Sequence, residues 1–162
     1  NLGDLYFTKG EISLALEHYR TYHQQRPKDP FVAYVSAKLI ALTPDGDPQE
    51  GHEILNKFER ATGLDVAMNE VRFAMTTGRA EPTGERLDEL GRTYNYLPDL
   101  LAVRAVLYER MKDMQRAQET IEIALLMTLN REVREMFEKR VEIYKSGKVP
   151  PSPFKDIRPP PS

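Results

Sequence analysis

The sequence predicts an all-α chain built from helical hairpins. Three observations carry this. Apolar residues recur at three- and four-residue spacing along most of the 162 residues, and strand-like alternation is scarce. Prolines stand where periodic stretches begin, and glycines where they end. Small and large residues also recur together at offsets that are multiples of 34.

The elements follow in order. A helix over 1–8 pairs with one over 11–25, with Gly10 between them. Pro30 suits a first helical turn, and Asp29 before it can cap the free backbone N–H groups of a helix over 29–42. Its partner over 47–61 starts with Asp47-Pro48-Gln49-Glu50, which sets a glutamate where a capping box needs one. Gly46 and Gly63 mark the turns on either side. A helix over 64–77 pairs with 82–93 across Gly78 and Pro82. Pro98 opens a helix over 98–111, which pairs with 113–128. A last helix over 131–145 carries Val133, Phe137, Val141 and Tyr144 on one face and charges on the other.

The chain opens with Leu2, Gly3 and Tyr6, then Ala15, Tyr19 and Pro27. Ala105, Tyr108 and Ala117 lie 102 residues after Gly3, Tyr6 and Ala15, which is three periods of 34. Ala37 and Ile40 fill the Gly3 and Tyr6 positions one period on, and Val71 and Ala74 two periods on. Leu87 and Leu90 match Tyr19 and Tyr22 at two periods. The second hairpin needs two extra residues at its turn, which puts Gly51, Leu55 and Phe58 in the small-large-large positions. Two antiparallel helices approach closely only at small residues, and large neighbours fill the space beside them. One hairpin cannot bury its apolar face alone, so hairpins stack.

With L-G-x-x-Y, A-x-x-x-Y and P at a 34-residue period, the chain resembles the tetratricopeptide-repeat family. The resemblance implies a right-handed superhelical solenoid of about four repeats (1–29, 30–63, 64–97 and 98–130) with a capping helix at 131–145. Residues 1–146 then form one domain, and 147–162 a proline-rich tail. The family's tryptophan position falls just before residue 1, so the natural chain is expected to continue upstream. HEAT and armadillo units have longer periods.

The resemblance further implies a protein-interaction scaffold whose first helices line a concave groove. In the family register the groove-facing positions are Asp4 and Phe7; Phe31, Tyr34, Lys38 and Ala41; Met68, Asn69, Arg72 and Met75; and Ala102, Val106 and Glu109. Phe31 and Met75 fit the core between hairpins equally well. Tyr34 is an amphipathic contact residue, Met68 and Met75 are adaptable surface, and Lys38 and Arg72 stand near the centre. An apolar partner segment with one or two acidic groups would fit. One subclass of the family clamps a C-terminal carboxylate with lysines and asparagines. Here only Lys38 and Asn69 match that pattern, while Tyr34, Asp99 and Val103 interrupt it, so such clamping is not expected.

Composition narrows the function. Net charge is −2, and residues 1–130 hold 15 Lys/Arg against 20 Asp/Glu, which argues against an RNA-binding helical array. There is no cysteine, so disulfides, thiolate metal sites and cysteine nucleophiles are excluded. No apolar run approaches the ~18 residues of a membrane span. His18 and His23 are five apart and do not share a helix face as a metal pair would. His52, between Glu50 and Glu53, reads as part of a solvated stretch. No phosphate-binding, dinucleotide or nucleophile-elbow motif appears. The tail holds six of the 12 prolines and favours extended polyproline II, with Phe154 and Ile157 as its apolar anchors. The expectation is a non-catalytic module with a protein or peptide partner and no cofactor, metal, nucleic acid or membrane insertion. Self-association, or a regulatory role within a larger protein, are the alternatives.

Overall fold

The computed structural model describes residues 11–43, 46–78, 80–94, 97–127 and 130–148, with backbone only over 80–86. Every regular element among them is an α-helix: α1 Ile12–Gln25, α2 Pro30–Leu42, α3 Pro48–Thr62, α4 Leu64–Thr76, α5 Ala80–Thr93, α6 Leu97–Arg110, α7 Met114–Met127 and α8 Arg131–Lys145. None of these is long and apolar enough to cross a membrane. The expected helix over 1–8, with Asp4 and Phe7, lies outside the described residues, as does the tail from 149 onward.

The helix starts follow the local chemistry. The Asp29 carboxylate accepts from the backbone N–H of Phe31 at 3.0 Å and of Val32 at 3.3 Å, with Pro30 in the first turn. Asp47 accepts from Gln49 N–H at 3.0 Å ahead of α3. The expected capping box stops there, because Glu50 turns away to accept both arms of the Arg20 guanidinium from α1. Two bonds to a guanidinium outcompete the single backbone N–H that a capping box would offer the carboxylate. Gly63 joins α3 to α4 alone, at φ +77°. A Cβ there would meet nothing within 4 Å, so a side chain would cost backbone strain and not space.

Successive helices pack on one another from α1 to α8. The longer-range pairs fix the architecture: α2 and α3 both pack on α6, and α5 packs on α7. No extensive contact joins α4 to α2 or to α6. The α4–α5 hairpin is therefore not inserted between α2 and α6. The expected row of first helices, α2 beside α4 beside α6, is replaced by α2 directly beside α6. Arg110 of α6 secures this pairing by donating to the carbonyls of Ile40 (2.7 Å) and Gly46 (2.8 Å), closing the C-terminal end of α2.

The small-large pattern does its expected packing. Ala15, Ala37, Ala105 and Ala117 are completely buried, with Tyr19, Leu55, Phe58, Leu87 and Ile121 filling the space around them. Gly51 is the tightest approach. A Cβ there would sit 2.7 Å from Leu107 Cδ2, and Leu107 is itself fully buried in α6. Gly51→Val should therefore lower the unfolding free energy by about 1–3 kcal/mol through overpacking, as read by urea denaturation. A valine variant with the native midpoint would show that Leu107 yields freely.

Candidate functional site

The outward face of α2 carries Phe31, Tyr34 and Lys38 at helical spacing, opposite a face on which Ala33, Ala37 and Ile40 are fully buried. Phe31 is 40% exposed on the turn capped by Asp29. The Lys38 ammonium donates to the Tyr34 hydroxyl at 3.0 Å and stands 4.9 Å from the centre of its ring. Asp99 of α6 faces both groups. Burial pushes the Tyr34 hydroxyl up to about 12, with the Asp99 charge adding to it. Burial lowers the Lys38 ammonium, and Asp99 opposes that. The result is an aromatic surface with one cation and one carboxylate, built by two helices whose pairing is not sequential.

The expected α4 residues sit elsewhere. Arg72 and Met75, with Thr76, line a cavity of about 250 Å³ against Glu119, Glu122 and Ile123 of α7. Arg72 donates to its neighbour Asn69 at 3.4 Å. Because α4 does not lie beside α2, these residues do not extend the Phe31–Tyr34–Lys38 face. Met68 is completely buried and Val106 nearly so, and both belong to the core instead of a groove. Ala102 and Ala41 are buried as well. Phe7 lies outside the described residues. Carboxylates face both central cations: Asp99 near Lys38, and Glu119 with Glu122 across from Arg72. An apolar partner segment with one or two acidic groups would meet these carboxylates as well as the cations.

Two buried polar clusters join the helices behind this surface. Arg104 of α6 donates to His52 Nδ1 (3.0 Å) and Asn56 Oδ1 (2.9 Å) and pairs with Glu59 at 3.1 Å, all on α3. His52, expected on a solvated stretch, is only 5% exposed and packs on Tyr108 with ring centres 4.5 Å apart. Its neighbours Glu50 and Glu53 point away, but His52 shares a face with Leu55, Asn56 and Glu59, and that spacing was the available signal. Groove position Glu109 is likewise buried. It accepts from Arg140 at 2.5 Å and from the Tyr144 hydroxyl, which fastens α8 to α6. Among the described residues no three His, Asp or Glu side chains converge as a metal ion would require.

His52 gives the fold a pH dependence. Burial, then the Arg104 charge, pulls its imidazole down to about 4 from 6.5. His23 of α1 is also lowered, by burial and then by Lys57. A depressed folded value means that the unfolded chain binds the proton more tightly. The stabilisation is therefore complete above pH 6.5 and is lost as pH falls toward about 4. Each histidine can contribute at most ~1.4 kcal/mol per pH unit, the slope for one proton, and only between its folded and unfolded midpoints. Urea titrations at neutral and acid pH should show the loss, and His52→Gln, which keeps an acceptor for Arg104, should reduce it.

Compared with known proteins, the chain matches no family model, no curated protein and no solved structure.

Proposed function

We propose that the chain is a non-catalytic protein-interaction module of the tetratricopeptide-repeat type, which holds a segment of a partner protein against the surface shared by α2 and α6. The observation that carries this is the outward row of Phe31, Tyr34 and Lys38 beside Asp99: partly exposed aromatic area with charges of both signs at its edge. Aromatic groups of this kind supply most binding energy at interfaces, and flanking charges fix orientation. The 34-residue spacing and the all-helical hairpins support the family assignment, while the direct pairing of α2 with α6 departs from the chain-order stacking of that family. The fitting partner is a peptide or helix with an apolar anchor for Phe31 and Tyr34 and polar groups of both signs.

Tyr34→Ala should weaken partner binding by about 1–3 kcal/mol. Calorimetry on a partner captured by the native chain reads this directly, with circular dichroism confirming that the variant folds. An unchanged affinity removes Tyr34 from the site. A second function has its own support. Val66 and Phe73 lie two turns apart on α4 and are 60% and 68% exposed, an apolar strip suited to self-association. A mass that rises with concentration in light scattering, and does not rise for Phe73→Ser, would favour it.

A further inference from the structure

The α5 helix packs on both α4 and α7. Among the described residues no extensive contact joins α4 to α7 directly, and the trough between them holds the cavity of about 250 Å³. At roughly 30 Å³ per water this is space for about eight waters, enough to take an aromatic ring. Arg72 and Met75 stand on the α4 wall, Glu119 and Glu122 on the α7 wall. Glu119 is exposed and the other three partly so, which leaves each able to meet an incoming group. Leu126, one turn past Glu122 on the same stripe of α7, is 55% exposed.

The charges of the trough are held only by amides of their own helices. Arg72 donates to Asn69, Glu119 accepts from Gln115 at 3.4 Å, and Glu122 accepts from Gln118 at 3.0 Å. None of the three makes an ion pair among the described residues. The trough thus offers two carboxylates on one wall, one guanidinium on the other, and apolar surface at Met75 and Leu126.

The proline-rich tail carries the same set of groups with the signs exchanged. Two cations, Lys155 and Arg158, and one acid, Asp156, accompany its anchors Phe154 and Ile157. In the polyproline II form that its composition favours, three residues make a turn, so residues three apart share an edge. Phe154 and Ile157 then form one edge, Lys155 and Arg158 a second, and Asp156 stands on the third.

The chain leaves α8 within reach of the trough. Arg134 donates to the Leu125 carbonyl at 3.4 Å, so α8 runs back along α7 from that helix's last turn. Tyr144 and Arg140 meet Glu109 at the end of α6, five residues before α7 begins. The last turn of α8 therefore lies near the first turn of α7. There Gly147, at φ +78°, and a bond from Lys148 N–H to the Ile143 carbonyl at 3.3 Å turn the chain off the helix axis. From Met114, Glu119 and Glu122 lie about 7.5 and 12 Å along α7, and a helix is about 10 Å across. At about 3.1 Å per extended residue, Phe154 reaches about 19 Å from Lys148 and Arg158 about 31 Å. A tail entering from this end meets Glu119 before Glu122 and Leu126, the order in which it presents Lys155, Arg158 and its second anchor.

We infer that the proline-rich tail docks in the trough between α4 and α7 of its own chain, with Phe154 on Met75, Ile157 on Leu126, Lys155 and Arg158 against Glu119 and Glu122, and Asp156 against Arg72. A short tether holds the tail at about millimolar effective concentration, so contacts too weak for a free peptide are populated. Docking ties α4, which has no extensive contact with α2 or α6, to α7. Its ion pairs are exposed, so docking weakens as salt rises.

The test is nuclear Overhauser spectroscopy on the full chain with labelled methyl groups. Cross-peaks are expected from a phenylalanine ring to the Met75 methyl that vanish in Phe154→Leu, and from Ile157 to Leu126. Lys155→Glu with Arg158→Glu should remove both sets. Adding Glu119→Lys and Glu122→Lys should bring them back, because the charges are then exchanged across the same contacts. These substitutions fall on the tail or on exposed and partly exposed positions, and circular dichroism confirms the fold. In an equal mixture of labelled and unlabelled chains, the contacts should stay within one copy. No ring contact with Met75, contacts that survive the charge reversal, a reversal that the exchange fails to rescue, or cross-peaks between copies would each overturn the assignment. The α2–α6 surface takes no part in this docking, so Tyr34→Ala should leave the cross-peaks unchanged.

Discussion

Arg140→Met is expected to lower the unfolding free energy by about 3–5 kcal/mol, one of the two largest effects of a single side chain in this fold. Arg140 is buried on α8 and meets Glu109, also buried, at 2.5 Å. Its Nε donates to the Tyr144 hydroxyl at 3.0 Å, and that hydroxyl donates to the same Glu109 carboxylate. Burial already pushes the Glu109 carboxyl up, against the pull of Arg140 and Tyr144. Without the guanidinium, Glu109 must stay as an uncompensated buried anion or take a proton, and both cost stability. Methionine fills the stem volume, so the loss reports on charge more than on packing. Glu109→Gln combined with Arg140→Met should recover much of it, because the pair is then neutral. Urea unfolding of the two variants beside the native chain checks this. A single variant within about 1 kcal/mol of native would mean that Glu109 finds water.

Arg104→Met is the second, at about 3 kcal/mol. Its guanidinium is the donor shared by His52, Asn56 and Glu59, so one substitution strands three acceptors along α3. Arg104→Lys should recover only part, since an ammonium lacks the planar fork that reaches several acceptors at once. A distinct signature accompanies the loss. With the neighbouring cation gone, the His52 midpoint should rise from about 4, as followed by its ring resonances. A variant that loses stability with no movement of His52 would place the effect in packing alone.

The helices were legible because their signals are local. Asp29-Pro30 and Asp47-Pro48 announce two starts, Gly63 announces a stop, and the three-to-four spacing of apolar residues fills the intervals. The small residues were legible too. Ala15, Ala37, Ala105 and Ala117 are fully buried, and Gly51 abuts Leu107. Pairing at long range was not legible. A 34-residue period implies sequential neighbours and says nothing of a hairpin set aside, so it puts Arg72 on one surface with Lys38, which the two do not share. Arg104 carried an unread clue: a lone arginine inside the run Leu100–Leu107 must find partners, and His52, Asn56 and Glu59 recur at the four- and three-residue steps of one helix face.

The proposed partner surface depends on α2 lying beside α6, and α3 follows α2 onto the same helix. The most direct measurement is nuclear Overhauser spectroscopy on the aromatic rings. Cross-peaks between His52 and Tyr108, whose ring centres lie 4.5 Å apart, are predicted, together with contacts from Tyr34 into the first turn of α6. Cross-peaks from Tyr34 to α4, with none between His52 and Tyr108, would contradict it, because the hairpins would then stack in simple chain order.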